Sequence, residues 1–273
     1  MKQRIHYLKN ITMLSSAASD AKEDAAGTAF AGAPADDGTL YVATPDVDLK
    51  ALAESGVPFV VYVDTLEYSG STFFDGVKYV LEGEGAFDPD DYDPEELEKI
   101  YRRLKKIPWD ILETDRCVIK ETSLDDLDEF YAIYSEPGIT RFTEDLMERS
   151  EEEKYTENYR DLIYEIYGHG IWTVIKKDTN EIIGRAGLDE RAGFDAPELG
   201  FVIGKPWQKQ GYAYEVCSAI LVWAAENDMH EIMSLTEKEN AEAVKLLKKL
   251  GFSEGNPVSI GTSEYVRFNF AVK

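Results

Sequence analysis

Apolar positions along this chain fall into continuous runs and one-sided stripes. Thr39-Leu40-Tyr41-Val42-Ala43 and Val57-Pro58-Phe59-Val60-Val61-Tyr62-Val63 read as strands. The second is apolar without alternation, the pattern of a strand covered on both faces of a parallel sheet. Asp46 to Ser55 reads as a short helix ended by Gly56, and Tyr79-Val80-Leu81 as a third strand. Residues 15–38 are rich in Ala, Ser, Asp and Gly and have no period, which predicts a loop or weakly ordered helix. Asp93-Pro94-Glu95-Glu96 is a helix start: an Asp cap, Pro at the first position and acids in the first turn. Leu97, Ile100, Tyr101 and Leu104 form its apolar face. Arg102, Arg103, Lys105 and Lys106 read as cations at a helix end. Pro108 is expected to stop this helix, and a boundary near residue 110 divides the chain into 1–110 and 111–273.

The second part is denser. Cys117-Val118-Ile119-Lys120 reads as a strand, followed by a helix capped by Thr122 or Ser123 with Leu124, Leu127, Phe130, Tyr131 and Tyr134 inside. Ser150-Glu151-Glu152-Glu153 has the form of a capping box opening a helix that ends at Gly168. Trp172 to Ile175 and Ile182 to Gly187 flank Lys177-Asp178-Thr179-Asn180, a hairpin signal. A strand Leu199–Ile203, a helix from Tyr212 to about Asn227 and a strand Ile232–Leu235 follow. A helix from Asn240 to Leu250, stopped by Gly251, and a strand from Tyr265 to Val272 complete the order.

Charge narrows the partners. The 273 residues carry a formal −24. Residues 1–110 hold 11 basic and 21 acidic side chains and the remainder 18 and 32, so both parts are acidic. Neither is built for nucleic-acid phosphates or an anionic membrane surface, and the acidity suits either a cationic partner such as an amine or plain solubility. Nine carboxylates lie within residues 82–98, but Pro89, Pro94 and the spacing do not fit a calcium loop. They read as a solvated connector, and no metal is expected. Cys117 and Cys217 sit in apolar patterns without ligand spacing. Buried free thiols suit a reducing cytoplasm. Lys2, Arg4 and Lys9 precede Ile11-Thr12-Met13-Leu14 in the order of a signal peptide, but the apolar part is too short. No run reaches membrane-span length.

The most telling segment is Gln208-Lys209-Gln210-Gly211-Tyr212-Ala213, set between an apolar strand and a long helix. A strand that turns through glycine into a helix leaves N–H donors at the positive end of the helix dipole. That is a site for phosphate or pyrophosphate. Gln208, Gly211 and Ala213 fill the fixed positions of [QR]-x-x-G-x-[GA]. With Glu198-Leu199-Gly200-Phe201-Val202-Ile203 before it, Asn240 to Phe252 after it and Ile182 to Leu188 upstream, residues 114–273 resemble the GNAT superfamily of N-acetyltransferases. The likeness is nearest to the branch holding the ribosomal-protein N-terminal acetyltransferases. Residues 39–81 faintly resemble a Rossmann-like, haloacid-dehalogenase-type fold, with Asp64 at a strand end but no Asp-x-Asp motif.

The resemblance implies an α/β fold. A mixed, mostly antiparallel sheet with a splayed parallel pair, flanked by helices, would follow a small α/β domain. It implies acetyl-CoA as co-substrate. Main chain of Gln208, Lys209, Gln210, Gly211, Tyr212 and Ala213 would cradle the pyrophosphate. Val202 and Ile203 would bond the pantetheine arm, with Asn240 either capping its helix or touching that arm. The reaction implied is direct attack of a primary amine, on a small molecule, peptide or protein N-terminus, upon the thioester. An ammonium must first lose a proton, so a general base is needed. Glu198 is the first candidate; Glu237 and Glu239 are weaker. His169 and His230 read as loop residues rather than bases, and Tyr155, Tyr159 and Tyr164 as packing, with a substrate-cleft wall as the alternative. Ala243 and Leu247 stand where relatives carry a hydroxyl acid. That departure keeps open an alternative, a non-catalytic acyl-CoA-binding module. The acceptor and the oligomeric state are not readable from the chain.

Overall fold

A computed structural model describes residues 8–14, 38–261 and 263–272. The loop expected over 15–38 lies, apart from its last residue, outside them. The chain divides into two compact units, residues 1–109 and 110–273.

The first unit is built on a parallel sheet, β1 (Asn10–Leu14), β2 (Thr39–Ala43), β3 (Phe59–Asp64) and β4 (Val80–Gly83), in that spatial order. Its helices are α1 (Leu49–Ser55) and α2 (Pro94–Leu104). The unbroken apolar runs are explained by burial on both sides. Leu40, Val42, Val60 and Tyr62 pack with Leu97, Ile100 and Tyr101 of α2. Ala43, Phe59, Val61 and Val63 pack with Leu52 of α1. The short apolar stretch Ile11–Leu14 is the strand β1, which pairs in parallel with β2. Asp64 holds a loop, its Oδ1 accepting from the N–H groups of Leu66 and Gly85 at 2.9 Å each.

One sequence expectation for α2 needs correction. The helix stops at Leu104, ahead of Pro108, because Lys106 takes φ +58° and the Ile107 N–H returns to the Arg102 carbonyl at 2.7 Å. Such a left-handed turn satisfies terminal carbonyls without proline. Arg102 and Arg103 lie in the last turn of α2, as expected of helix-end cations, and are buried there. Arg102 donates to the Pro108 carbonyl and lies over the Trp109 ring.

The second unit carries β5 (Asp110–Glu113), β6 (Cys117–Lys120), α3 (Leu127–Tyr134) and α4 (Arg149–Asn158). A π-turn (Tyr159–Ile163) leads into α5 (Tyr164–Tyr167). Then come β7 (Ile171–Lys176), β8 (Ile182–Asp189), β9 (Glu198–Ile203), α6 (Tyr212–Glu226), β10 (Glu231–Thr236), α7 (Ala241–Leu250), β11 (Ser253–Ile260) and β12 (Ser263–Ala271). The strands form one eight-stranded sheet, ordered β11-β12-β10-β9-β8-β7-β6-β5. Every neighbouring pair is antiparallel except β9 with β10. α6 turns Val216, Cys217, Ile220 and Ala224 into a core with Trp172, Ile183, Leu188 and Leu199. Full burial of each large aliphatic side chain there contributes about 1.5–3 kcal/mol. Burial pushes the Cys217 thiol up to about 12, so it stays an unreactive core group.

Ser150 does not cap α4. The helix begins at Arg149 after Glu148, with no side-chain cap. The carboxylate that reaches back is Glu152, which accepts from the Met147 N–H at 3.1 Å and ties down the preceding loop instead. Among the described residues no helix is long and apolar enough to cross a membrane.

Candidate active site

The turn from β9 into α6 is shaped by its own side chains. Gln208 folds back, its Nε2 donating to the Ile203 carbonyl at 2.8 Å, and Gln210 Nε2 donates to the Pro206 carbonyl at 2.6 Å. Lys209 (φ +60°) and Gly211 (φ +88°) take left-handed backbone, which swings the chain directly into the helix. Helices α1, α2 and α7 have N-terminal N–H groups met by Asp48, Asp93 and Asn240. No side chain caps α6. Its first-turn donors lack intrahelical acceptors, so they and the dipole stand ready for an anion.

Arg116, which the sequence reading passed over, braces this turn from the β5–β6 connection. Its Nη1 donates to the Gln210 carbonyl at 3.1 Å, its Nε pairs with Glu215 at 2.6 Å, and its guanidinium lies 4.1 Å from the Tyr212 ring centroid. Glu215 also accepts from Thr114 Oγ1 at 2.7 Å. Burial raises the Glu215 pKa, but the hydrogen bonds from Thr114 and Arg116 outweigh it and hold the carboxyl below its ordinary value. No local pattern marks Arg116, since its partners lie more than ninety residues away.

Beside the turn, the parallel strands separate. β9 and β10 share a single register pair, Met233 with Glu198. Beyond it the gap is crossed by side chains: Ser234 Oγ donates to the Leu199 carbonyl at 2.9 Å. Gly200, Phe201 and Val202 on one side and Leu235, Thr236 and Asn240 on the other line a cavity of about 750 Å³. Asn240 Oδ1 accepts from the Ala243 N–H at 3.2 Å, so the residue caps α7 while facing this space. Ile203 and the 208–213 turn do not line it.

Glu198 lines the cavity with both oxygens engaged. Oε2 accepts from Arg191 at 2.8 Å and Oε1 from the Leu235 N–H at 3.2 Å. Glu237 also lines the cavity, whereas Glu239, His169 and His230 do not. His169 is buried between the Leu188 carbonyl (3.0 Å) and Glu190 (3.3 Å). Tyr155, Tyr159 and Tyr164 all contribute to the cavity wall, beyond the packing expected of them. Ala243 lies at the cavity, whereas Leu247 is fully buried in the core. Among the described residues no three His, Cys, Asp or Glu are grouped to hold a metal ion.

A mostly antiparallel sheet with one splayed parallel pair, and an uncapped helix beside the splay, define an acetyltransferase architecture. Residues 116–253 match the model of the acetyltransferase (GNAT) domain, and the chain belongs to that family, whose members are acetyl-CoA-dependent acyltransferases. It is 32% identical over 90 residues to the uncharacterized N-acetyltransferase YjdG of Bacillus subtilis (strain 168), a match spanning 31% of this chain and 52% of that one. It is 34% identical over 80 residues to the ribosomal protein uS5-alanine N-acetyltransferase of Escherichia coli (strain K12), spanning 28% and 41%. The chain thus spans about half the length of these relatives or less. Its fold is like that of RimL, a ribosomal L7/L12 alpha-N-protein acetyltransferase solved in complex with coenzyme A. The TM-score is 0.52 and the identity 10%, covering 60% of this chain and 98% of that one.

Proposed function

We propose that this chain moves an acetyl group from acetyl-CoA to a primary amine by direct attack. The observation that carries the reading is the splay of β9 from β10. An uncapped helix start at Gly211 lies beside a sheet opened between β9 and β10, and the opening enters a cavity rich in carboxylates. N–H groups of the Lys209–Ala213 turn hold the pyrophosphate, with Gln208 fixing the turn to Ile203. The pantetheine arm runs along Val202. Asn240 presents its amide nitrogen to the arm while its oxygen caps α7. The Ile203 carbonyl already accepts one hydrogen bond, from Gln208, and keeps a second lone pair.

At the acceptor end Glu144, Asp145, Asp189, Glu198 and Glu237 outnumber Arg141, Arg185 and Arg191. An excess of negative charge in a recess attracts a protonated amine. The names of the uS5 and RimL relatives point to α-amino groups of proteins as one form of such an acceptor. Calorimetry with acetyl-CoA, then thiol release over a panel of amines and short peptides, tests the reading. Saturable binding with turnover supports it, binding without turnover leaves an acyl-CoA-binding module, and no binding ends it.

Arg116 gives this reading a sharper prediction. Arg116→Ala leaves Glu215 unneutralised beside the pyrophosphate turn and frees the Gln210 carbonyl. The expected result is a KM for acetyl-CoA about tenfold higher, roughly 1.4 kcal/mol, with kcat within about twofold. Adding Glu215→Gln should recover part of the loss. Unchanged KM in Arg116→Ala would show that the brace is only structural.

A further inference from the structure

We propose that Asp189, rather than Glu198, is the carboxylate that receives the acceptor's ammonium and takes its proton. The inference rests on the amine-acetylation reading above. Asp189 ends β8 directly opposite Glu198 of β9 in the antiparallel ladder. Opposed residues point to the same face with Cβ atoms about 4.5–5.5 Å apart, so both carboxylates enter the cavity together. They differ in what already holds them. Glu198 is ion-paired with Arg191 and bonded to the Leu235 N–H, and it ties β9 to β10 at the start of the splay. Asp189 accepts one hydrogen bond, from Tyr159 Oη to Oδ1 at 2.6 Å. Its Oδ2 has no hydrogen-bond partner among the described residues.

The protein makes a particular arrangement for that one bond. Tyr159 opens the π-turn inside the α4–α5 helix. A π-turn inserts a residue into the helical ladder and re-aims the side chains that follow, a device common at functional sites. The hydroxyl of Tyr159 accepts from the Ile171 N–H at 2.9 Å while donating to Asp189, so two bonds orient it. Gly170 makes room: a Cβ there would lie 2.6 Å from the Tyr164 ring and 2.8 Å from that of Tyr159. Burial, followed by the neighbouring Asp189 charge, raises the Tyr159 pKa, so this hydroxyl remains a donor. The result is an oriented carboxylate with its second oxygen open to the cavity.

Several charged or titratable groups share the space around Asp189. They are Tyr155 and Tyr159 from the helix, Glu198 from β9, Arg185 and Arg191 from β8 and the turn after it, Glu144 from the loop and Tyr265 from β12. The guanidinium of Arg191 is taken by Glu198, and Arg185 donates its Nε to Tyr134 Oη at 2.7 Å. The ammonium R–NH3+ passes one proton to Oδ2 of Asp189. The freed nitrogen pair forms the C–N bond, the C–S bond breaks, and the sulfur leaves as thiolate with the electron pair of the C–S bond. The second nitrogen proton goes to the thiolate through water, and Asp189 releases its proton to solvent.

The test compares full-length wild type, Asp189→Asn, Asp189→Glu and Glu198→Gln. The probes are 1,5-diaminopentane, tyramine and alanine-led tetrapeptides. Acetyl-CoA affinity by calorimetry is the control for folding. The expected result is a loss of about 100-fold or more in kcat/KM for the amine in Asp189→Asn, with acetyl-CoA affinity held within threefold. Asp189→Glu, which keeps the carboxylate, should recover much of that loss. Glu198→Gln should lose less than tenfold. Retained activity in Asp189→Asn, or the larger loss appearing in Glu198→Gln instead, overturns the assignment while leaving amine acetylation standing. A wild type that acetylates none of the probes overturns both.

Discussion

Replacing Gly184 by alanine should lower the melting temperature by about 6–12 °C, on a cost of about 3 kcal/mol for forcing side-chain volume into a packed contact. A Cβ at Gly184 would stand 2.0 Å from the Val202 carbonyl oxygen and 3.0 Å from Ile203 Cα. Both are backbone atoms of the paired strand, so nothing there can rotate aside. β8 and β9 must part where Gly184 faces Ile203, beside the bulge that shifts the β7–β8 register at Val174/Ile175. Gly193→Ala is the matched control. It too has positive φ, +88°, but open space around the added carbon. It should cost only the left-handed strain of about 1–2 kcal/mol. Thermal melts of the two variants decide the matter, and equal shifts would refute the steric argument. Because the displaced carbonyl is that of Val202, surviving Gly184→Ala protein should also bind acetyl-CoA more weakly.

Gly211→Val is expected to separate stability from cofactor binding. Here the nearest atom to an added Cβ is Arg116 Nη2 at 3.5 Å, so the folded chain has room. Strain remains, since a β-branched residue at φ +88° is disfavoured by about 1–2 kcal/mol. The larger effect falls on the anion. A side chain over the first turn of α6 would hold phosphate away from its N–H groups. Losing two charge-assisted hydrogen bonds at about 1.5 kcal/mol each weakens binding roughly 100-fold. Calorimetry of acetyl-CoA binding beside a thermal melt reads both effects. A dissociation constant within threefold of wild type would remove the turn from the cofactor site.

The contrast between these glycines shows what was legible in the chain. Gly211 announced itself through its neighbours, since Gln208 and Ala213 flank a strand-to-helix switch that local chemistry fixes. Gly184 did not, because its constraint is a carbonyl eighteen residues away on another strand. The same division runs through the fold. β2, β3, β9, α6 and α7 were readable from apolar runs and from stops such as Gly56 and Gly251, both left-handed in the structure. β11 was not: Ser253–Ile260 contains Gly255 and Pro257, shows no period of two, and pairs with β12 through a bulge. β1 is five residues long with a mostly exposed face, so only its partner β2 makes it a strand. In the candidate site, the Gln208–Ala213 motif was visible because it is contiguous. Arg116, Tyr159 and Asp189 were not singled out in those roles, because their meaning comes from contacts across the sheet and helix. Glu198 was found, but not that Arg191 and Leu235 already engage it.

The single rung between Met233 and Glu198 leaves the eight-stranded sheet mechanically divided. One plate runs from β5 to β9 and the other is β10 to β12. Amides along the open seam can exchange their hydrogens through small local openings, whereas those in the β8–β9 ladder exchange only when more of the structure gives way. An extended thioester lying in the seam would supply the absent rungs, so the cargo would serve as a ninth strand. Coupling across the sheet would then be tighter in the loaded enzyme, and release of the product thiol would loosen one plate against the other.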